Sequence, residues 1–205
     1  MSRQSYTQTV FIVDDNPAVR DSLSLLLESV DLHTASYASA GAFLDDFDPQ
    51  AAGCLILDIR MPGMSGMDLA EQLRERQAIL PVIFITGHGD VPMAVEAMKL
   101  GALDFIQKPF RDQVMLDCVY RALAHDAAQR RSLLEVDAIR ERLGQLTPRE
   151  RQVLDLIMDG KANRVIAEAM NLSPRTVELH RARLMEKMNA GSLAVLAQMV
   201  TRARL

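Results

Sequence analysis

Three carboxylates, a hydroxyl and an ammonium follow short apolar segments in the first half of the chain. Asp14 and Asp15 come after one segment, Asp58 after a second, Thr86 after a third and Lys108 after a fourth. Three carboxylates brought together would repel one another and raise one another's pKa unless a cation joined them. Oxygen ligands that leave room for water and phosphate oxygens suit Mg²⁺. A lysine ammonium and a threonine hydroxyl nearby would stabilise phosphoryl oxygens on a carboxylate nucleophile.

The apolar segments alternate with helical patterns over the first 125 residues. Most of these segments are apolar throughout rather than at alternate positions, which is typical of parallel strands that are buried on both faces. The order is therefore a strand followed by a helix, five times over, and functional groups gather at the carboxyl ends of such strands. The predicted strands are residues 10–13, a fainter one at 33–36, and residues 54–57, 82–85 and 105–107.

The sequence also predicts where helices begin and end in this half. Asn16 followed by Pro17 predicts an N-cap with proline at the first helical position. Gly101 predicts the end of the helix that begins near Val91.

The last 60 residues show helical patterns only. Thr147 and Glu150 have the spacing of a capping box, in which each side chain satisfies a free backbone N–H of the other residue. Two of the helices are joined by a three-residue turn, and the second carries several basic side chains, which is typical of a DNA-binding helix-turn-helix. The four predicted helices span about residues 147–159, 164–170, 174–188 and 192–202.

Charge divides the chain unevenly. Residues 1–125 carry 9 basic and 17 acidic side chains, and residues 146–205 carry 10 basic and 6 acidic ones. Residues 126–145 hold four of each sign without a strand pattern, which indicates a solvated helical linker. We therefore predict an acidic domain over 1–125 that suits cations, a linker over 126–145, and a basic domain over 146–205 that suits nucleic acid.

The composition is that of an ordinary globular protein, with 49% hydrophobic and 24% charged residues in 205. The N-terminus leads directly into a short apolar run, without the core of a signal peptide, and no apolar stretch reaches about 18 residues. We expect a soluble, cytoplasmic protein without a membrane partner.

The strand-end residues resemble those of the receiver domain of two-component response regulators. The resemblance covers residues 8–125 and implies an α/β flavodoxin-like (βα)5 fold, with Asp58 phosphorylated by a sensor histidine kinase. It implies Asp15 and Asp58 as Mg²⁺ ligands, with Asp14 close by and the backbone carbonyl of Arg60 as a further ligand. It also implies a cis peptide before Pro109, and Thr86, Gly87, Phe105, Lys108 and Pro109 as groups that stabilise the phosphate or act in the switch. The motifs that carry the resemblance are Asp14-Asp15, Asp58, Met61-Pro62-Gly63, Thr86 and Lys108-Pro109-Phe110.

Further stretches of the sequence indicate which branch of this family the chain resembles. Residues 86–92 and 97–102 are similar to the FixJ branch of these regulators, and residues 146–150 and 175–178 to the LuxR/FixJ-type DNA-binding domain. This implies a four-helix helix-turn-helix domain that binds double-stranded promoter DNA when the protein is phosphorylated and dimeric. It suggests activation through RNA polymerase and leaves repression open.

Phe105, three residues before Lys108, has two interpretations. Thr86 could turn inward to meet a phosphoryl group, as in receivers, and Phe105 could rotate into the space it leaves. The alternative is an ordinary core residue. In the first case we expect the helix from Val91 and the last strand to form the dimer surface, with the unphosphorylated receiver masking the helix-turn-helix.

On the predicted recognition helix, Val177, Leu184 and Met188 share one face at helical spacing and are expected in the core. The opposite face is predicted to meet DNA. Glutamate can accept from cytosine, and apolar side chains can meet a thymine methyl. The predicted base contacts are Glu178, Leu179 and Ala182; the predicted phosphate contacts are Arg175, Thr176 and Arg183; Lys187 is also assigned to DNA binding.

Two other functions share part of this pattern. Haloacid-dehalogenase phosphatases share the strand-end aspartate but need a second acid two residues later, where this chain has Arg60. We therefore expect no enzyme. A receiver that never accepts phosphate and serves only for docking is disfavoured by the full set of strand-end groups.

Overall fold

The computed structural model describes residues 7–87 and 91–204. The chain divides into two compact units, Met1–Arg130 and Arg131–Leu205. Residues 88–90, within the FixJ-like stretch, lie outside the described part. None of the described helices is long and apolar enough to cross a membrane.

The first unit contains a five-stranded sheet in the order β2-β1-β3-β4-β5 with every neighbouring pair parallel. This is the flavodoxin-like order of a doubly wound sheet, so the predicted fold class is confirmed. The elements are β1 (Thr9–Val13), α1 (Pro17–Glu28), β2 (His33–Tyr37), α2 (Ala40–Asp46), β3 (Gly53–Asp58), α3 (Gly66–Glu75), β4 (Val82–Thr86), α4 (Val91–Lys99), β5 (Asp104–Gln107) and α5 (Asp112–Gly144).

The sheet is covered on both faces, which explains why its central strands are apolar throughout. Along β3, Leu55 and Leu57 pack into one core and Cys54 and Ile56 into the other. Helices α2, α3 and α4 cover the first core, and α1 and α5 cover the second. The edge strand β2 is more exposed, in keeping with its weaker apolar pattern.

The predicted helix ends of this unit are present. The Asn16 side chain accepts a hydrogen bond from the Ala18 amide at 3.0 Å, and Pro17 opens α1. Gly101 follows α4 with a φ of +90°, a conformation that glycine adopts without steric cost.

The second unit is helical. Beyond the end of α5 it contains α6 (Pro148–Met158), α7 (Asn163–Met170), α8 (Pro174–Met188) and α9 (Leu193–Arg204), the four predicted helices. Asn171 takes the left-handed conformation that ends α7 and opens the short turn into α8. The capping box is present: the Thr147 amide donates to Glu150 at 2.8 Å, and the Glu150 amide donates to the Thr147 hydroxyl at 3.3 Å.

Helix α5 is longer than the sequence pattern suggested. It continues through residue 144, and the boundary proposed after residue 125 falls within it. Asp126 and Arg130 belong to the first unit. The buried Asp126 carboxylate accepts from Arg130 at 2.7 Å and from the Gly53 amide at 3.1 Å, and Arg130 also donates to the carbonyl oxygens of Gln50 and Ala51. Ile139, by contrast, is buried in the core of the second unit.

Candidate functional site

The carboxyl edge of the sheet brings the predicted acidic groups together. Val13 pairs with Leu57, so Asp14, the next residue along the chain, lies beside Asp58. Carboxylate oxygens of Asp14, Asp15 and Asp58 all lie within 4.8 Å of one another. Asp14 is 1% exposed and Asp58 is 5% exposed, whereas Asp15 is open to solvent. The site therefore has two carboxylates inside the fold and a third at its rim.

Lys108 enters this cluster from the end of β5. Its Nζ donates to Asp14 Oδ2 at 2.6 Å and to Asp58 Oδ1 at 3.0 Å. The peptide bond between Lys108 and Pro109 is cis, as the resemblance implied. One ammonium thus bridges the two buried carboxylates.

The charges of the site perturb one another. Burial raises the pKa of the Asp58 carboxyl, and the Asp14 and Asp15 carboxylates add to that rise, while the hydrogen bond from Lys108 opposes it. Burial lowers the pKa of the Lys108 ammonium, but its bonds to both carboxylates outweigh burial and leave that pKa raised. A second cation at this cluster would be favoured, because three carboxylates face one ammonium.

The loop that carries the acidic pair is held mainly through Asp14. Its amide donates to the Tyr37 carbonyl at 3.2 Å, and its Oδ1 accepts from the Asn16 amide at 2.9 Å. Arg20, which the sequence analysis did not select, donates from Nη1 to the carbonyl oxygens of Asp14 at 2.7 Å and Asp15 at 3.1 Å. A basic residue on α1 therefore contacts the backbone of the acidic pair.

Gly66 is a second residue that the sequence analysis missed. It is the first residue of α3, and its amide donates to the Ile59 carbonyl at 3.0 Å. A Cβ placed on Gly66 would overlap the carbonyl oxygen of Asp58 and come within 3.0 Å of Leu57 Cγ. Only glycine lets α3 start this close to the end of β3.

The remaining predicted residues of this edge have mixed surroundings. Thr86 is fully buried at the end of β4, and Gly87 after it is exposed with open space around it. Arg60 is exposed two residues after the end of β3. Phe105 is half-buried and packs against the first core, beside Phe84 in the register. Both interpretations of Phe105 fit this position, so its role in a switch stays a prediction.

Helix α8 presents the face that the sequence analysis assigned to DNA. Val177, Leu184 and Met188 are fully buried, as predicted. Arg175, Glu178, Leu179, Ala182 and Arg183 are exposed. At its start, the Thr176 hydroxyl lies 2.8 Å from that of Ser173. The exposed face combines two guanidinium groups with apolar and acidic side chains that could meet base edges.

Lys187 has a different environment from the one expected of a DNA contact. Its Nζ donates to Glu150 Oε2 at 2.7 Å and to the Gln145 carbonyl at 3.3 Å. The hydrogen bond from Lys187, together with those from Thr147, lowers the pKa of the buried Glu150 to about 2. These bonds make Lys187 a link between α8 and the capping box of α6, and its assignment to DNA binding stays a prediction.

Replacing Glu150 by glutamine is expected to destabilise the second unit by about 1–3 kcal/mol near neutral pH, because a buried charged hydrogen bond is lost. The depressed pKa means that this stabilisation is present above the ordinary value of 4.5 and is lost as pH falls toward about 2. Urea unfolding, followed at a series of pH values, should therefore show the stabilities of wild type and variant drawing together as pH falls from about 4.5 toward about 2. Glu186→Gln, which makes the same chemical change at an exposed position on α8, serves as the control. A constant difference across the series would contradict the pairing.

Known proteins match both parts of the chain. The family described as response regulator receiver domain matches residues 10–120, and the family described as bacterial regulatory proteins, luxR family, matches residues 144–200. The transcriptional regulatory protein FixJ of Azorhizobium caulinodans is 48% identical over 93% of this chain and 90% of its own length. The structure of the response regulator StyR matches with a TM-score of 0.85 at 42% identity, and covers 96% of this chain and 99% of that one. Full-length FixJ from B. japonicum matches with a TM-score of 0.60 at 40% identity, over 98% of each chain.

Proposed function

The chain belongs to the two-component response regulators with a LuxR-type DNA-binding domain, and from that membership we propose that a phosphoryl group on Asp58 controls its binding to promoter DNA. As a member of this family the protein regulates transcription, and the resemblance to the FixJ type is confirmed. The observation that carries the proposal is the bridge from Lys108 to Asp14 and Asp58 at the carboxyl edge of the sheet.

The proposed reaction is a phosphoryl transfer to a carboxylate. Lys108 bonds Oδ1 of Asp58, so Oδ2 is the oxygen we assign to attack on phosphorus. The new O–P bond forms as the N–P bond of a kinase phosphohistidine breaks, and the imidazole nitrogen keeps the bonding electron pair. Such a transfer depends on positioning and charge neutralisation, which Lys108 and the buried Thr86 hydroxyl would supply.

The acidic cluster fits Mg²⁺. Hard carboxylate oxygens within 4.8 Å of one another, with one of the three residues open to solvent, are a donor set that this ion accepts. Asp15 and Asp58 would hold it directly, with Asp14 close by and the Arg60 carbonyl as a further ligand. When bound, the ion would neutralise charge between the carboxylates and the incoming phosphoryl oxygens.

A dimer is proposed for the phosphorylated protein. Helix α4 exposes three apolar side chains, with Val91 77%, Val95 48% and Met98 52% exposed. Exposed apolar surface of this kind favours a protein partner. With the β5 residue Phe105 beside it, this face suits pairing of two phosphorylated receivers. Sedimentation that finds a monomer after complete phosphorylation would remove this part of the proposal.

The exposed face of α8 is the proposed contact with double-stranded DNA. Arg175 and Arg183 make no hydrogen bond or ion pair with other described residues, so both guanidinium groups are available for phosphates. Glu178, Leu179 and Ala182 lie between them on the exposed side, where they could reach base edges. RNA polymerase is the proposed further partner, and the cytoplasm the proposed location, since both follow from action at a promoter.

The experiment that tests the function is DNA binding across duplexes selected from a random pool. Wild type and Asp58→Asn are compared with and without acetyl phosphate and Mg²⁺. A gain of affinity in treated wild type alone is the expected result, and it would also yield the operator. Equal binding by both proteins under all conditions would show that Asp58 is not the switch.

Arg183→Gln is expected to weaken DNA binding on all sequences alike, since a phosphate contact carries no sequence information. Its loss should reduce the slope of log affinity against log salt concentration by about 1. Fluorescence anisotropy over a salt series, on the selected operator and on an unrelated duplex, measures both effects. Arg202→Gln is the control, because Arg202 lies on α9, away from the proposed DNA-binding face of α8. Its guanidinium donates hydrogen bonds to Glu135 and Ser132. A loss confined to one base position would contradict the phosphate assignment.

A further inference from the structure

The two members of the acidic pair are held very differently. The Asp14 carboxylate is fixed by the Asn16 amide on one oxygen and by Lys108 on the other. The Asp15 carboxylate is exposed and has no hydrogen bond or ion pair with other described residues. Its place therefore depends on the backbone that carries it. That backbone is fixed at the Asp15 carbonyl, and the group that fixes it is Arg20.

Arg20 lies at a position where its own helix disfavours a positive charge. It is the fourth residue of α1, in the first turn of a helix whose N-terminal end carries a partial positive charge. Its guanidinium turns back past the helix start and places Nη1 on two consecutive carbonyl oxygens, those of Asp14 and Asp15. Two charge-assisted hydrogen bonds offset the unfavourable position of the charge. The side chain thus serves the loop that precedes the helix rather than the helix itself.

We infer that Arg20 is a positioning residue for the acidic pair: by bridging the two carbonyls it holds the Asp15 carboxylate where a divalent cation shared with Asp58 can use it. The inference rests on the proposed function, in which Asp15 and Asp58 hold Mg²⁺. Arg20 itself touches neither the cation nor the phosphoryl group. Outer groups that orient metal ligands typically change metal affinity by about 10–100-fold when they are removed.

Positioning and simple electrostatics predict opposite results for the same variant. If Arg20 acted only through its charge, its removal would lessen repulsion of the cation, and the cation would bind more tightly. If Arg20 holds the loop, its removal lets Asp15 move, and the cation binds more weakly. The sign of the change in affinity therefore separates the two roles.

The test measures binding of Mn²⁺, as a paramagnetic stand-in for Mg²⁺, by electron paramagnetic resonance of the free ion. The full-length proteins compared are wild type, Arg20→Gln, Arg20→Lys and Asp15→Asn. Arg74→Gln is the control, since Arg74 is an exposed arginine whose ion-pair partner, Glu71, is also exposed. We expect affinity about 10-fold weaker in Arg20→Gln, partial recovery in Arg20→Lys, and wild-type affinity in Arg74→Gln. Asp15→Asn should lose most of the affinity.

A second readout follows labelling by acetyl phosphate over a range of Mg²⁺ concentrations. Because Arg20 acts on affinity for the cation, saturating Mg²⁺ should restore the labelling rate of Arg20→Gln to that of wild type. Unchanged or tighter Mn²⁺ binding in Arg20→Gln and Arg20→Lys, with Asp15→Asn impaired, would overturn the inference and leave the proposed function intact. Wild type that binds no Mn²⁺ would instead overturn the proposed cation site, and the inference with it.

Discussion

Asp58→Asn is expected to take up no phosphoryl group from acetyl phosphate, whereas wild type takes up one. The amide has no anionic oxygen for attack on phosphorus, and its nitrogen cannot replace one. The fold should survive, because an amide oxygen can still accept the hydrogen bond that Lys108 donates to Asp58. Intact mass spectrometry of the treated proteins measures the uptake. The added group should be released by hydroxylamine, as expected of an acyl phosphate.

The matched control is Asp45→Asn, which removes an exposed carboxylate on α2 and should leave uptake unchanged. Omission of Mg²⁺ should slow uptake by wild type, since three carboxylates then face the phosphoryl group with one ammonium between them. Full uptake by Asp58→Asn would mean that another residue accepts the phosphoryl group, and the site would have to be reassigned.

Gly66→Ala is expected to destabilise the first unit by about 3 kcal/mol, at the upper end of the usual cost of overpacking. The added methyl group would overlap a backbone carbonyl, that of Asp58, which cannot rotate away as a side chain could. Relief requires a shift of α3 or of the end of β3. Because β3 ends in Asp58, the shift should also slow phosphorylation.

Urea unfolding and acetyl phosphate labelling of the same preparations measure these two effects. Gly41→Ala is the control, since it makes the same chemical change on α2, where a Cβ would meet nothing closer than 4.0 Å. It should be neutral or slightly stabilising, because alanine favours a helix over glycine. A Gly66→Ala protein as stable as Gly41→Ala would show that the start of α3 can move at little cost.

The sheet and its acidic edge could be predicted because local patterns determine both. Unbroken apolar runs indicate parallel strands, and the carboxyl ends of parallel strands share one edge, so Asp14, Asp58 and Lys108 had to lie close together. The capping box of Thr147 and Glu150 could be predicted as well, since its two partners are only three residues apart.

What could not be predicted depends on contacts between residues whose spacing carries no pattern. The sequence pattern predicts Lys187 only as another basic residue of the recognition helix. Its contact with Glu150, 37 positions away in sequence, is visible only in the folded chain. The role of Gly66 follows from how closely α3 approaches β3. From the sequence alone, Arg20 is indistinguishable from an ordinary surface arginine of a helix. Only the path of its side chain in the structure brings it to two carbonyl oxygens.

The anchor formed by Asp126 and Arg130 bears on how this protein can be dissected. The sequence that matches other receivers ends at residue 120, so a fragment cut there, or at 125, omits both anchoring residues. Such a fragment would leave the Gly53 amide, at the first position of the central strand, without the acceptor it has in the whole chain. An excised receiver that keeps the native stability of its sheet must therefore include the chain at least through Arg130. The sequence pattern alone would place these last residues in the linker.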